Sequence, residues 1–206
     1  MDDGSFRPPL TLRGRYVELV PLERSHAAET WKAASNPEVT RYLRTGPVRS
    51  VAEMERSIDD LLAGQRQGTD LPFTTRLRST GRAVGMTRFL RIDRPNDWVE
   101  IGGTWIDSRY WRTPVNTEAK LLMLRHAFEV EKAHRVQLQT DLRNVRSQTA
   151  IARLGAQREG VFRDDVVMPD GYRRSSVIFS ILAPEWPDVE RRLTEFLRPD
   201  WTAPPT

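Results

Sequence analysis

Two hydrophobic periods alternate along this chain, and the points where one replaces the other mark its elements. A short strand, Tyr16–Pro21, follows the turn-like Arg13–Gly14. Ser25 is placed to cap a helix over His26–Ser35, which Asn36–Pro37 stops. Ser50-Val51-Ala52-Glu53 reads as a capping box, in which hydroxyl and carboxylate each satisfy a free backbone N–H at the helix start. Val51, Met54, Ile58, Leu61 and Leu62 then recur at helical spacing until Gly64–Gly68. Next the period becomes two, with Phe73, Thr75 and Leu77 on one face of a strand. The turn Ser79-Thr80-Gly81 leads into a strand over Val84–Ile92, and Pro95-Asn96-Asp97 into a third over Trp98–Ile106, which together predict an antiparallel meander.

A loop, Asp107–Val115, precedes a predicted helix from Asn116 to Glu131. Ala119, Leu121, Leu122, Met123, Leu124, Ala127, Phe128 and Val130 occupy most of its circumference, and such a helix is buried on more than one side. Arg135–Thr140 alternates again as a strand. Asn144 can cap a short helix that ends before Gly155, a residue suited to a left-handed C-cap. Gln157–Phe162 and Ser175–Leu182 predict two more strands, with Asp170–Gly171 in the turn region between them, and Pro184–Leu197 a last helix. The order predicts an α+β or mixed α/β domain, one sheet with helices packed on it. There is no internal repeat or linker; residues 10–183 form the domain and residues 184–206 a C-terminal helix with a frayed Pro-rich tail.

At 206 residues the chain is one domain that can bury roughly 70% of its unfolded surface without staples. Having no cysteine, it cannot use disulfides, thiolate metal ligands or a thiol nucleophile. His26, His126 and His134 make no ligand-spaced pair, so no metal is expected. The 32 basic and 28 acidic residues are interspersed, which argues against a nucleic-acid groove despite the net charge of +4. The modest positive field suits an anionic ligand. No apolar stretch approaches the ~20 residues of a membrane span. The first residues are acidic where a signal peptide is basic, so the expectation is a cytoplasmic protein with no membrane partner.

The strand Glu100–Ile106, its loop and the helix after it make a generic anion site, because exposed N–H groups and the positive dipole end meet at a helix start. Arg109 and Arg112 add charge there. Further motifs make the reading more specific: Thr11-Leu-Arg-Gly-Arg-Tyr-Val-Glu-Leu-Val-Pro-Leu22, Thr80–Gly81 with Ala83-Val-Gly-Met-Thr-Arg88, Glu100-Ile-Gly102, Asn116-Thr-Glu-Ala-Lys-Leu-Leu122, Asp141-Leu-Arg-Asn-Val-Arg-Ser-Gln-Thr-Ala150, Leu154-Gly-Ala156 and Arg158-Glu-Gly160. With these, the chain from about Leu10 to Leu182 resembles the GNAT superfamily of N-acetyltransferases, and within it the RimJ/RimL-like branch. The resemblance implies a seven-stranded, mixed, mostly antiparallel sheet with helices on both faces, splayed between Trp98–Ile106 and Arg135–Thr140. It implies acetyl-coenzyme A as acyl donor in that split. Backbone atoms of Trp105 and Ile106 would meet the pantetheine amides. The pyrophosphate would sit on Arg109, Arg112, Thr113, Pro114, Val115 and Asn116, with Asn144 contacting the same molecule.

The usual loop of the superfamily is Gln/Arg-x-x-Gly-x-Gly/Ala, and here Arg112 and Pro114 stand where small residues do. Either the Arg112 guanidinium substitutes a charge-assisted contact or binding is weakened, and the first reading is adopted. Asn116 has a plain alternative role as helix cap. For catalysis, an ammonium must lose a proton and a thiolate gain one. Glu100 is the candidate base and Ser147 the candidate acid, since Ile151 occupies the place of the tyrosine many members use; the alternatives are an arginine-paired strand carboxylate for Glu100 and helix capping for Asn144 and Ser147. Asp164 and Asp165 fall in the loop where the acceptor is expected. The partners expected are acetyl-coenzyme A and an amine, either a peptide N-terminus or a small molecule, with a homodimer left open. A silent acyl-coenzyme A binding module and a basic nucleic-acid binder are the competing readings.

Overall fold

Strand alternation, turn residues and one parallel crossover build a single eight-stranded sheet in a computed structural model that describes residues 6–197 and 200–203. In chain order the strands are β1 (Leu12–Arg13), β2 (Val17–Pro21), β3 (Asp70–Leu77), β4 (Ala83–Asp93), β5 (Trp98–Ile106), β6 (Arg135–Asp141), β7 (Gln157–Val167) and β8 (Arg173–Leu182). They lie in the spatial order β1-β2-β3-β4-β5-β6-β8-β7, and all neighbours are antiparallel except β5 and β6. The sheet has one strand more than the seven expected, the two-residue β1, whose Leu12 pairs with Leu19 and Arg13 with Glu18. Helices α1 (Ala27–Ala33), α2 (Pro37–Thr40), α3 (Val51–Arg66), α4 (Pro114–Arg125), α5 (Val145–Leu154) and α6 (Trp186–Phe196) complete the fold.

Two apolar layers divide the helices between the faces. Val17, Phe89, Ile101, Val136, Leu138 and Phe179 pack with Leu121, Met123 and Leu124 of α4, Ile151 of α5 and Trp186 of α6. On the other side Met86 and Trp105 pack with Ala27, Ala33, Met54 and Ile58 of α1 and α3. Burial of α4 is nearly complete, as its apolar circumference predicts. Its Glu118 carboxylate accepts the backbone N–H groups of Arg15, Tyr16 and Val17, each at 2.7 Å, and so ties the sheet edge to the helix.

Several local expectations change. Ser25 does not cap α1; it lies inside a 3-10 turn, Arg24–His26, that Glu23 and His26 cap reciprocally. Asn36–Pro37 ends one helix and starts another, because the Asn36 side chain accepts from the Glu38 N–H at 3.0 Å. The Ser50 hydroxyl accepts from the Glu53 N–H at 3.1 Å, but the Glu53 carboxylate reaches past Ser50 to the Arg49 N–H at 2.7 Å. Gly64 sits within α3. The long helix starts at Pro114, and after Arg125 it continues as a π turn, His126–Val130. Asp164 and Asp165 belong to the lengthened β7, at a break in register between Phe162 and Val166. In the Pro-rich tail, residues 198–199 and 204–206 lie outside the described residues, while Trp201 packs edge-on against Tyr16.

Candidate active site

The parallel pair β5 and β6 is joined only at Trp98–Arg135, Val99–Val136 and Glu100–Gln137. Beyond Glu100 the strands part, because each is held by its other neighbour: β5 by β4 as far as Ile106, β6 by β8 as far as Asp141. The backbone edges of the split therefore have no partner strand, and such groups need hydrogen bonds from elsewhere. A cavity of about 1010 Å³ follows the split, at the upper end of ordinary ligand pockets. Glu100, Trp105, Ile106, Arg112, Thr113, Asn116, Asn144 and Ser147 all line it. The fold thus brings together most of the residues singled out from sequence. Arg109, Pro114 and Val115 are not among the lining residues.

Arg109 is turned away by a local clamp. Its Nε and Nη2 donate to the Asp107 carboxylate, with Nη2 at 2.6 Å, and this pairing raises the guanidinium pKa. Pro114 is the first residue of α4, where a missing N–H costs the helix nothing. Thr113, not Asn116, is the N-cap: its hydroxyl accepts from the Val115 N–H and donates to the Tyr110 carbonyl at 2.7 Å. The Asn116 side chain is thereby left to the cavity and makes no hydrogen bond among the described residues. Arg112 takes the left-handed backbone, φ 62°, at the position where the resemblance expects glycine. Its guanidinium forms no hydrogen bond or ion pair among the described residues and lines the cavity.

The two backbone candidates in β5 differ. The Trp105 carbonyl points at β4, occupying the place a Cβ on Gly85 would take, which is why Gly85 must be glycine. The Ile106 carbonyl already accepts the Trp111 indole N–H at 2.8 Å. Trp111 in turn carries the Arg146 guanidinium over its ring, 3.5 Å from the centroid, at the start of α5. Asn144 caps α5 by accepting from the Ser147 N–H at 3.0 Å, so its capping role is present; its amide nitrogen and the Ser147 hydroxyl make no hydrogen bond within the described residues.

Glu100 is 4% exposed and carries the arginine pairing weighed from sequence, accepting from Arg91 Nη1 and Gln137 Nε2, both at 3.2 Å. Asp165 accepts from Gln139 Nε2 at 3.0 Å, whereas Asp164 takes a left-handed backbone, φ 50°, at the break in the β7 register.

Sequence reasoning missed Lys120. It projects from α4 into the cavity, is 5% exposed, and donates from Nζ to Thr104 Oγ1 at 2.6 Å. Thr104 shares a second hydrogen bond with Thr87, at 2.7 Å. Burial pushes the Lys120 pKa from 10.5 down to about 7. A signal was available, since Lys120 is a lone ammonium in a helix whose surroundings are apolar almost all round.

Among the described residues, no group of three His, Cys, Asp or Glu side chains could hold a metal, and no helix is long and apolar enough to cross a membrane. Comparison with known proteins bears on the same geometry. The model of the acetyltransferase (GNAT) domain matches residues 17–157. A curated relative from Bacillus subtilis (strain 168), "Probable N-acetyltransferase YjcK", is 23% identical over 178 residues, 84% of this chain and 98% of the relative. A crystal structure of a GCN5-related N-acetyltransferase from Brucella melitensis is 29% identical with a TM-score of 0.86, covering 93% of this chain and 87% of that one. Mycobacterium smegmatis RimJ, solved in complex with CoA-disulfide, shares the fold at a TM-score of 0.79 and 23% identity, over 91% of this chain and 95% of that one. The split sheet, the cavity that follows it and the family match agree, and the chain belongs to the GNAT acetyltransferase family as an N-acetyltransferase.

Proposed function

We propose that the protein transfers the acetyl group of acetyl-coenzyme A directly to a primary amine, a protein N-terminus or a similar amine. The observation that carries this reading is the split between β5 and β6, which opens at the start of α4 beside the unpaired Arg112. Arg112, the first turn of α4 and the Asn116 side chain suit the pyrophosphate, through charge and helix-end N–H groups. Asn144, with its amide nitrogen free, suits the same molecule. Pantetheine amides suit the unpaired backbone of the split, with the Ile106 carbonyl available once the Trp111 indole moves off it.

In this scheme the ammonium of the acceptor gives up a proton to Glu100 and the free amine attacks the thioester carbonyl carbon. An N–C bond forms and the C–S bond breaks; the sulfur takes its proton from Ser147, and the second proton of the attacking nitrogen restores the Ser147 hydroxyl, leaving an amide, a thiol and protonated Glu100. Glu100 is held as a hydrogen-bonded carboxylate at the foot of the split. A second proton acceptor is favoured by one observation, the Lys120 pKa of about 7, which suits a general base near neutrality.

The test is release of coenzyme A thiol from acetyl-coenzyme A in the presence of peptides and small amines. Release that depends on one acceptor class supports the reading and names the class. Tight acetyl-coenzyme A binding without release would replace it with a silent binding module, and absence of binding would end it. In the pH profile of kcat/KM, a limb near pH 7 that survives Glu100→Gln but not Lys120→Met assigns the base to Lys120; loss of turnover in Glu100→Gln with turnover kept in Lys120→Met assigns it to Glu100.

A further inference from the structure

The sheet face turned away from α4 is polar where it borders the cavity. Cross-strand partners share a face, so Leu90, Glu100, Gln137 and Ser180 lie together, as do Asp141 and Ser176. Arg88 and Arg174, each two residues along its strand from this set, lie on the same side, opposite Val136, Leu138 and Phe179. Arg44, from the segment between α2 and α3, also lines the cavity.

Arg174 is only 5% exposed, yet among the described residues no carboxylate forms an ion pair with it. Its Nε donates to Ser176 Oγ at 3.0 Å and its Nη1 to the Tyr42 carbonyl at 3.4 Å; Nη2 makes no hydrogen bond among the described residues. The neighbouring acids are engaged elsewhere: Asp141 by Arg143 at 2.9 Å, Glu100 by Arg91, Asp165 by Gln139 and Asp70 by Arg88 at 2.9 Å. Arg44 has no ion pair among the described residues, only a 3.4 Å hydrogen bond to Gln139. Arg88, despite Asp70, keeps a buried Nε with no partner. Burial lowers the pKa of Arg174, and Arg44 lowers it further, against the weaker pull of Asp141, Asp165 and Glu100. Burial lowers that of Arg88 too, with Arg44 and Arg91 adding to it and Asp70 and Glu100 opposing. Guanidiniums gathered at a cavity wall, one of them buried with no carboxylate hydrogen-bonded to it among the described residues, are an arrangement that an anion stabilises.

We infer that Arg174 and Arg44, with Arg88 beside them, form a subsite for a carboxylate carried by the acceptor, so that the preferred substrate is a primary amine bearing a nearby carboxylate. The inference rests on the acetyl transfer proposed above. It places the anion of the acceptor on the sheet face opposite α4, apart from the phosphate contacts at the starts of α4 and α5. Two sources supply this chemistry: the α-carboxylate of a free amino acid, or an acidic side chain near the amine of a peptide.

Acetylation by the full-length protein is followed by mass spectrometry with matched acceptors: free amino acids against their carboxamides, and C-terminally amidated peptides with Glu against Gln as second residue. In at least one pair the carboxylate member is expected to lead by about tenfold or more in kcat/KM, the scale of a charge-assisted hydrogen bond. The pair that responds identifies the source. Arg174→Gln and Arg44→Gln are each expected to collapse that ratio; Arg44 is exposed, so its variant keeps the test open if removal of buried Arg174 prevents folding. Both pairs within twofold of each other in the wild type, or a ratio untouched by either variant, overturns the subsite while leaving acetyl transfer in place. Failure to acetylate any amine overturns acetyl transfer and the subsite with it.

Discussion

Replacing Lys120 by Met should stabilise the protein at neutral pH, and the gain should fade as the pH rises. In the unfolded chain the ammonium keeps its ordinary pKa of 10.5, whereas burial in the fold brings it to about 7. Below pH 7 both states carry the proton, and the fold bears the full cost of a buried charge, about 5 kcal/mol for a difference of this size. Between pH 7 and 10.5 the unfolded state holds more protons than the folded state, so stability rises by about 1.4 kcal/mol per pH unit. Above 10.5 both are neutral and the cost is gone. The penalty is therefore about 4 kcal/mol at pH 7 and about 2 kcal/mol at pH 9. Met fills a similar volume without the charge and gives up one hydrogen bond to Thr104, worth about 1 kcal/mol. Lys120→Met should thus be more stable than the wild type by about 3 kcal/mol at pH 7 and about 1 kcal/mol at pH 9. Urea unfolding of both proteins at the two pH values measures this directly. An advantage that does not change with pH would refute the argument. The chain has only three lysines, Lys32, Lys120 and Lys132, so 13Cε-labelled lysine gives three NMR signals. The Lys120 signal should titrate near pH 7; the absence of any lysine signal titrating in that range would refute it independently.

Glu118→Ala leaves the buried N–H groups of Tyr16 and Val17 without an acceptor, which should cost about 2–6 kcal/mol in urea unfolding; a loss below about 1 kcal/mol would mean that this edge of the sheet finds other partners. Arg112→Ala and Arg112→Gly both remove the free cation and should weaken acetyl-coenzyme A binding about tenfold by calorimetry. Only the glycine variant relieves the left-handed backbone, so it should be about 1 kcal/mol more stable than the alanine variant; wild-type affinity in both variants would remove Arg112 from the phosphate contact. Ser147→Ala leaves the backbone cap on Asn144 in place and should lower kcat about 100-fold with little change in acetyl-coenzyme A affinity. An unchanged kcat would remove Ser147 from the chemistry.

The parts of this fold that could be read from the chain are those set by neighbours in sequence. The meander of β3, β4 and β5 follows from alternation and from the turns at Ser79–Gly81 and Pro95–Asp97, and α3 from its apolar spacing. The ends were harder, because more than one side chain can satisfy the same free N–H. Asn116 and Thr113 are both good caps, and the choice fell to Thr113 because Pro114 fits the first helical position and needs no N–H donor. Strand β1 is two residues long and has no period to detect; it exists because the Glu118 carboxylate gathers the N–H groups just after it.

The site divides along the same line, and the division bears on its chemistry. Its outline was legible because the split follows from the order of strands, and the lining side chains at Glu100, Arg112, Thr113, Asn116, Asn144 and Ser147 follow from their places in that frame. Its electrostatics were not, because a charge in a cavity is set by which partners reach it across the fold. Arg109 and Arg112 look equivalent as residues three apart, yet Asp107 takes the first and, among the described residues, nothing takes the second. Glu100, Asp141 and Asp165 look free in the sequence, but Arg91, Arg143 and Gln139 hold them. Lys120 and Arg174 look like ordinary cations, and both end in a buried wall with no carboxylate partner among the described residues, one neutralised near pH 7 and the other unable to lose its proton. Buried lysine can answer its burial by deprotonating, whereas buried arginine must find an anion. That difference separates a wall suited to handling protons at Lys120 from one suited to binding a negatively charged acceptor at Arg174.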